Sequence, residues 1–247
     1  MIVLLVFALA ADPTLIEAEE AYHRGLELQA DSVQARPHFT QAAARFESGW
    51  EQGYQNPDVA AMIAQSYLLA DRLPQAIRAY REALRRWPSN AKLRRGLNDA
   101  REQVIYPQTA SLPAPHESFR FTNQLSSSKW LLMVFGMFVG GWIAFARAWV
   151  LQRGGWTFAV VGWVFAVAIL VTIVMEQSVN PPKFVVVSRD GVTLRQGNAE
   201  SYPARMEVPL VRGIEATLIH ERGGWAQLEL SNGAVGWLPH SAVLIER

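Results

Sequence analysis

Read for the alternation of hydrophobic and polar positions alone, the chain changes character three times. Residues 12–105 carry apolar positions three and four apart, the spacing of amphipathic helices packed on one another. The period then vanishes. From Trp130 to Leu151 the only charged residue is Arg147, and from Gly154 to Met175 there is none. After these runs the pattern falls to period two, in short segments broken at Asp190-Gly191, Gly223-Gly224 and Asn232-Gly233. Such dipeptides mark hairpins and tight turns. The pattern therefore predicts helices, then two long apolar runs, then strands.

In the helical part, breakers and caps set the elements. A helix is expected from about Thr14 to Gln29, followed by an extended turn that holds Pro37. With Pro57 as the first position of a unit of about 34 residues, Ile63, Ala64, Tyr67, Ala76, Tyr80, Ala83 and Pro88 fall on the signature positions of a tetratricopeptide repeat. Only Ala60 departs, standing where a large apolar residue is usual. Ala64 and Ala76 let two antiparallel helices approach, Tyr67 and Tyr80 fill the groove between them, and Pro88 stops the second helix. Ala42 and Phe46 repeat the Ala76 and Tyr80 spacing one period upstream, with Trp50 extending that face. Ser89-Asn90 caps a last helix from Ala91 to about Val104. Residues 12–105 are thus expected to form an α-helical tetratricopeptide solenoid.

The C-terminal residues 184–247 read as all β. FVVVSRDGVTLRQG is a strand, a turn and a second strand, and further strands are expected at Glu215–His220, Trp225–Leu230 and Val235–Leu238. Five short strands in this length predict a small all-β, SH3-like barrel. So small a barrel has little core to spare, which predicts Trp237 inside it and Trp225 at its rim.

Each apolar run has about the ~20 residues that a helix needs to cross the hydrocarbon core. The expectation is a two-helix transmembrane hairpin, with spans at 129–151 and 155–176 and linkers at 106–128 and 177–183. Arg147 and Arg153 in the short connection place it in the cytoplasm by the positive-inside rule. Both flanking parts then lie on the periplasmic side of a bacterial inner membrane, with the lipid bilayer as a partner. Residues 1–11, MIVLLVFALAA, read as a signal peptide, with an apolar core followed by small residues.

Composition narrows the chemistry. The 247 residues include no cysteine and five scattered histidines. No nucleophile–base pair, metal-ligand spacing or glycine-rich phosphate loop is legible, so neither enzyme activity nor a cofactor or metal is expected. The formal charge is +1, but it is unevenly placed. Residues 12–31 hold six acids and one base, whereas residues 78–101 hold eight bases and two acids. Such a distribution is either a pair of solvated faces or a bipolar surface that orients an acidic partner on the Arg85, Arg86, Arg94 and Arg95 side. Nucleic acid is not expected outside the cytoplasm. Candidate partner contacts are Tyr67, Arg78, Tyr80, Arg85 and Arg86 on the helical array, with Tyr202 and Trp225 on the barrel.

The segments NPDVAAMIAQSYLLADRLPQAIRAYREALRRWPSNAKLRRGLNDAREQVIYP and GVTLRQGN with ERGGWAQLELSNGAVGWLPHSAVL, together with the order of parts, resemble the BatE-type proteins of Bacteroides aerotolerance operons. The C-terminal likeness rests on Val192–Arg195, Gly223-Gly224-Trp225 and Gly236-Trp237-Leu238, with a hydrophobic close at Val243-Leu244. The loop SYPARMEVPLVRG departs from that pattern. The resemblance implies a non-enzymatic, membrane-anchored scaffold at the periplasmic face, acting in envelope stress or aerotolerance. It implies partners among membrane proteins with von Willebrand factor A domains. The alternative reading is an envelope module whose barrel binds cell-wall peptides.

Overall fold

The computed structural model describes residues 13–106 and 183–246, with residues 136, 139–143, 146–147 and 167 between them. Residues 1–117 and 182–247 belong to one compact unit and residues 118–181 to another. In the first unit five α-helices precede a sheet among the described residues. The helices are α1 (Pro13–Glu27), α2 (Ser32–Glu51), α3 (Pro57–Leu69), α4 (Leu73–Arg86) and α5 (Ala91–Glu102).

Local chemistry sets most helix starts. Asp31 accepts the N–H groups of Val33 and Gln34, Asn56 that of Val59, and Asn90 those of Lys92 and Leu93. Each satisfies donors that a helix N-terminus leaves open. Before α4 no side chain caps, and Pro74 occupies the first turn instead, where its missing N–H costs nothing. Pro37 is a departure from expectation, because it lies inside α2 rather than in an extended turn. A ring at that position removes one helical hydrogen bond and crowds the preceding turn, together costing about 3 kcal/mol in a helix interior. Ala35, Phe39, Ala42, Ala43 and Phe46 bury one continuous face of α2, and that burial carries the helix through the proline.

Two cores run through the unit. One joins α1 to α4 around Tyr22, Phe39, Phe46, Ile63 and Tyr67. The other joins α3, α4 and α5 to the sheet. The sheet has five antiparallel strands, β1 (Phe184–Val187), β2 (Glu215–Arg222), β3 (Trp225–Leu230), β4 (Val235–Pro239) and β5 (Val243–Ile245), in the spatial order β4-β3-β2-β1-β5. Every residue of β1 is buried, because the strand is covered on both faces. Val186 pairs with Glu215 across β2 and with Leu244 across β5, so these share one face. That face meets α4, whose Arg81 guanidinium lies 4.4 Å from the Phe184 ring centroid.

The helix-facing side of the sheet carries two buried carboxylates. Glu215, with its side chain 3% exposed, accepts from Arg101 Nε at 2.6 Å and Arg101 Nη2 at 3.1 Å, and Arg81 Nη1 lies 3.0 Å away. Glu246 pairs with Arg85 and accepts from the Phe184 N–H. At the margin, Arg212 reaches Asp71 in the α3–α4 turn at 3.0 Å. Gly213 sits beside this contact with φ +88°, and a Cβ there would stand 2.9 Å from Val104 Cγ2 and 3.3 Å from Ile77 Cδ1. Glycine is therefore required twice over, for its backbone angle and for the close approach of α4.

This architecture corrects the expected one. A solenoid passes contacts only from repeat to neighbouring repeat, whereas here α4 and α5 end on a sheet that shares their core. The sheet is open, with β4 and β5 as its outer strands, so it is not the closed SH3-like barrel. Residues 192–195, expected as a full strand, make only isolated bridges from Val192 to Leu210 and from Arg195 to Ala204 and Trp237. The fifth strand is instead β5, paired with β1. The transmembrane hairpin is also overturned, because among the described residues no helix is long and apolar enough to cross a membrane. A span needs about 20 apolar residues in one helix, and α2, which has 20, carries Arg36, His38, Arg45, Glu47 and Glu51. The spans expected at 129–151 and 155–176 lie largely outside the described residues, as does the expected signal peptide. The two-span inner-membrane placement, with both flanking parts periplasmic, falls with them.

Removing the Glu215 carboxylate should strand two guanidiniums in the helix–sheet contact, and breaking a buried pair costs about 3–5 kcal/mol. Urea unfolding of Glu215→Ala should show that loss, while Glu20→Ala, which removes an exposed pair with Arg24, should change stability by less than about 1 kcal/mol. Equal small losses would mean that Glu215 does not brace the contact. Gly213→Ala should likewise lower the urea midpoint, by about 1–3 kcal/mol from overpacking, with additional backbone strain.

Candidate functional site

A cleft of ≈ 430 Å³ lies between α2 and α4, with α3 beneath it. Ala60 and Ile63 of α3 form an apolar floor. Glu47, Trp50 and Glu51 come from α2, and Arg78, Ala79, Glu82, Ala83, Arg85 and Arg86 come from α4. Glu246, just beyond β5, closes one side. Helical spacing explains the two walls. Glu47 and Glu51 stand one turn apart on α2, and Arg78, Glu82 and Arg85 follow one another at steps of four and three on α4, so each set shares a face.

An aromatic gate closes the end of the cleft where α2 and α4 finish. Trp50 and Trp87 meet edge to face at 5.9 Å between centroids. The Arg86 guanidinium stands 5.7 Å from the Trp50 ring and 5.9 Å from the Trp87 ring, and donates to Gln55 Oε1 at 2.6 Å. Indoles attract such a cation through their negative faces, which holds Arg86 at the last turn of α4, where a helix also favours positive charge.

Deeper in, Arg78 is mostly enclosed. Its Nε is buried with no hydrogen-bond partner among protein groups. Glu82 is the paired carboxylate, but at 3.7 Å it is beyond hydrogen-bond distance. Tyr67, on α3, lies between the two walls electrostatically. Burial first, then Glu47 as charge and hydrogen-bond acceptor, push its hydroxyl up to about 12, while Arg78 and Arg72 pull the other way. The α2 wall is thus acidic, with Glu47 and Glu51, and the α4 wall largely basic, with Arg78, Arg85 and Arg86 beside Glu82.

A second, smaller opening of ≈ 320 Å³ lies between α3 and α5. Tyr80 forms its base, and Gln65, Lys92, Arg95 and Asp99 surround it. Gly96 admits the tyrosine, since a Cβ there would stand 2.6 Å from its hydroxyl oxygen. Burial pushes the Tyr80 hydroxyl up to about 12, with Asp99 and Tyr22 adding to the shift.

Of the residues singled out from sequence, Arg78, Arg85 and Arg86 come together in the first cleft, with Tyr67 behind its floor. Tyr80 faces the second. Tyr202 and Trp225 reach neither cleft. Tyr202 is 46% exposed on a loop, where Arg195 donates to its carbonyl at 2.8 Å. Trp225 opens β3, opposite Arg222 and Pro239. Trp237 is not inside the core. Gly236 and Leu238 are the buried residues of β4, which turns Trp237 to the other face, against His220. Sequence reading missed Glu47, Trp50 and Glu51, although their spacing on one helix face, ending in a tryptophan, was a usable signal. It also assigned Arg85 to an external partner, whereas the chain's own Glu246 holds it.

Among the described residues no group of three or more His, Asp or Glu is placed to hold a metal ion. Comparison with known proteins gives no match: no family model, no curated protein and no solved structure.

The buried tyrosines give the helical part a distinct response to base. Tyr67, Tyr80 and Tyr106 are held at about 12 against an ordinary value of 10.0. Values raised in the folded state mean stability that is complete below pH 10 and drains away as pH rises from 10 toward 12. Ultraviolet titration should show these phenols ionising late, together with loss of helix. Tyr67→Phe should remove one late-ionising group, and Glu47→Gln should bring the Tyr67 hydroxyl back toward its ordinary value.

Proposed function

We propose that the chain is a non-enzymatic interaction scaffold that holds a segment of another protein in the cleft between α2 and α4. The observation that carries this reading is the Arg78 guanidinium, which lines the cleft while its Nε is buried without a hydrogen bond and its ion-pair carboxylate, Glu82, stands 3.7 Å away. A carbonyl or carboxylate entering the cleft would give this guanidinium a charge-assisted hydrogen bond. The surroundings suit a polypeptide, with an apolar floor, walls of opposite charge and an indole gate. Arg and Trp are also the residue types most enriched among contacts that dominate protein interfaces.

The resemblance to BatE-type proteins points the same way, toward a scaffold with protein partners. It rests on the quoted segments alone. Within it, the partners to try first are proteins with von Willebrand factor A domains.

A cellulose-bound array of octapeptides, probed with the full chain, tests the reading. A subset of peptides should retain the wild-type chain and lose it, by at least tenfold, with Arg78→Gln or Trp50→Ala. Near-ultraviolet circular dichroism checks that both variants keep the fold. An array that retains nothing, or retains the variants equally, would show that the cleft is not a peptide site.

A further inference from the structure

We infer that the occupant of the α2–α4 cleft is an extended segment of mixed charge, in which an acidic residue lies between two basic ones. The inference deepens the scaffold reading and rests on it. In an extended peptide, successive side chains point to opposite sides, and alternate residues stand about 6.6 Å apart on one side. A segment running along the cleft would therefore face the α2 wall and the α4 wall with alternate residues. Glu47 and Glu51 are four residues apart on α2, about 6 Å along the axis at 1.5 Å per residue. Two basic side chains at alternate positions match that spacing. Neither carboxylate is in an ion pair with another wall of the cleft. Glu47 accepts the Tyr67 hydroxyl, and Glu51 is exposed at the α2 end.

The residue between the two bases would turn to α4. There the guanidinium most open to a new partner is that of Arg78, held only by Glu82 at 3.7 Å, since Arg85 is engaged by Glu246 and Arg86 by Gln55 and the indoles. A carboxylate suits Arg78, because a charge-assisted bond to guanidinium is about twice as strong as a neutral one. A segment of three bases would meet the guanidiniums of α4 with like charge. A segment of two acids around one base would set its carboxylates against Glu47 and Glu51. The net charge of the favoured triplet, one positive, complements the one negative charge left by four carboxylates and three guanidiniums.

Three fluorescein-labelled, end-blocked pentapeptides with glycine at both ends and Lys-Glu-Lys, Lys-Lys-Lys or Glu-Lys-Glu at the centre make the test, by fluorescence anisotropy with the full chain. Lys-Glu-Lys should bind at least tenfold more tightly than either of the others. Arg78→Gln should abolish its advantage over Lys-Lys-Lys, and Glu51→Gln, an exposed change with little bearing on folding, should reduce its advantage over Glu-Lys-Glu. Equal affinity for Lys-Glu-Lys and Lys-Lys-Lys would overturn the inference, as would a preference that survives Arg78→Gln. If array peptides bind at Arg78 but Lys-Glu-Lys is not preferred, the charge pattern fails and the scaffold reading stands. If no peptide binds on either platform, both fail.

Discussion

Glu215 is the constraint on which the rest of the described structure turns. Its carboxylate lies in the helix–sheet contact and is held by guanidiniums from two different helices, Arg81 of α4 and Arg101 of α5. Burying an ionic group is costly, and an apolar substitute of similar volume would often serve stability as well. What the charge adds is position. Apolar surfaces slide past one another at little cost, whereas a carboxylate fed by two converging forks has one low-energy placement. Glu246 repeats the device across β1, facing Arg85 one helical turn beyond Arg81. Two such points, on β2 and just past β5, fix where α4 crosses the sheet.

That fixed crossing reaches into the cleft. Arg85 belongs both to the brace and to the cleft wall, and Glu246 from the far end of the chain lines the same opening. The sheet therefore shapes a site whose other walls are entirely helical. The basic run on α4 and α5 divides accordingly. Arg81, Arg85 and Arg101 are turned inward to the sheet's carboxylates, Arg94 donates to the Pro88 carbonyl, and Arg78 and Arg86 remain directed at the cleft. Positive charge that looks like one surface in the sequence serves three separate purposes in space.

The parts of the fold legible in the sequence are those decided within a few residues. The helix starts at Pro57 and Ala91 follow from Asn56 and Asn90, whose side chains cap whatever the distant surroundings. The Asn232-Gly233 hairpin follows from the left-handed backbone at Gly233, with φ +79°. What escaped depended on contacts between distant segments. Pro37 was read as a breaker because the burial that carries α2 through it comes from α1 and α3. Trp237 was placed inside because a small barrel has little core to spare, yet strand parity, set by Gly236 and Leu238, turns it to the opposite face. The apolar run Phe184–Val187 was read as a strand, but what buries it, α4, lies about 100 residues earlier in the chain. The acidic partners of the arginines were equally remote, on β2 and just past β5. For the cleft, three of its arginines were legible as a basic cluster. The acidic wall was not, because Glu47 and Glu51 acquire meaning only once α3 has brought α2 alongside α4.

The state of Tyr67 bears on what such a cleft can do. General acid–base catalysis at neutral pH calls for a group whose pKa is drawn toward 7. Burial and Glu47 move the Tyr67 hydroxyl the opposite way, to about 12, which fixes it as a neutral donor to Glu47. Its proton is thereby held in place. The cleft itself is lined by three arginines and four carboxylates, with Glu82 on the same wall as the arginines. The arrangement presents a fixed pattern of charge. Fixed charge on walls braced by the sheet reduces the ordering that a ligand must otherwise bring about on binding. Preformed charge of this kind suits the recognition of a charge pattern proposed for the cleft.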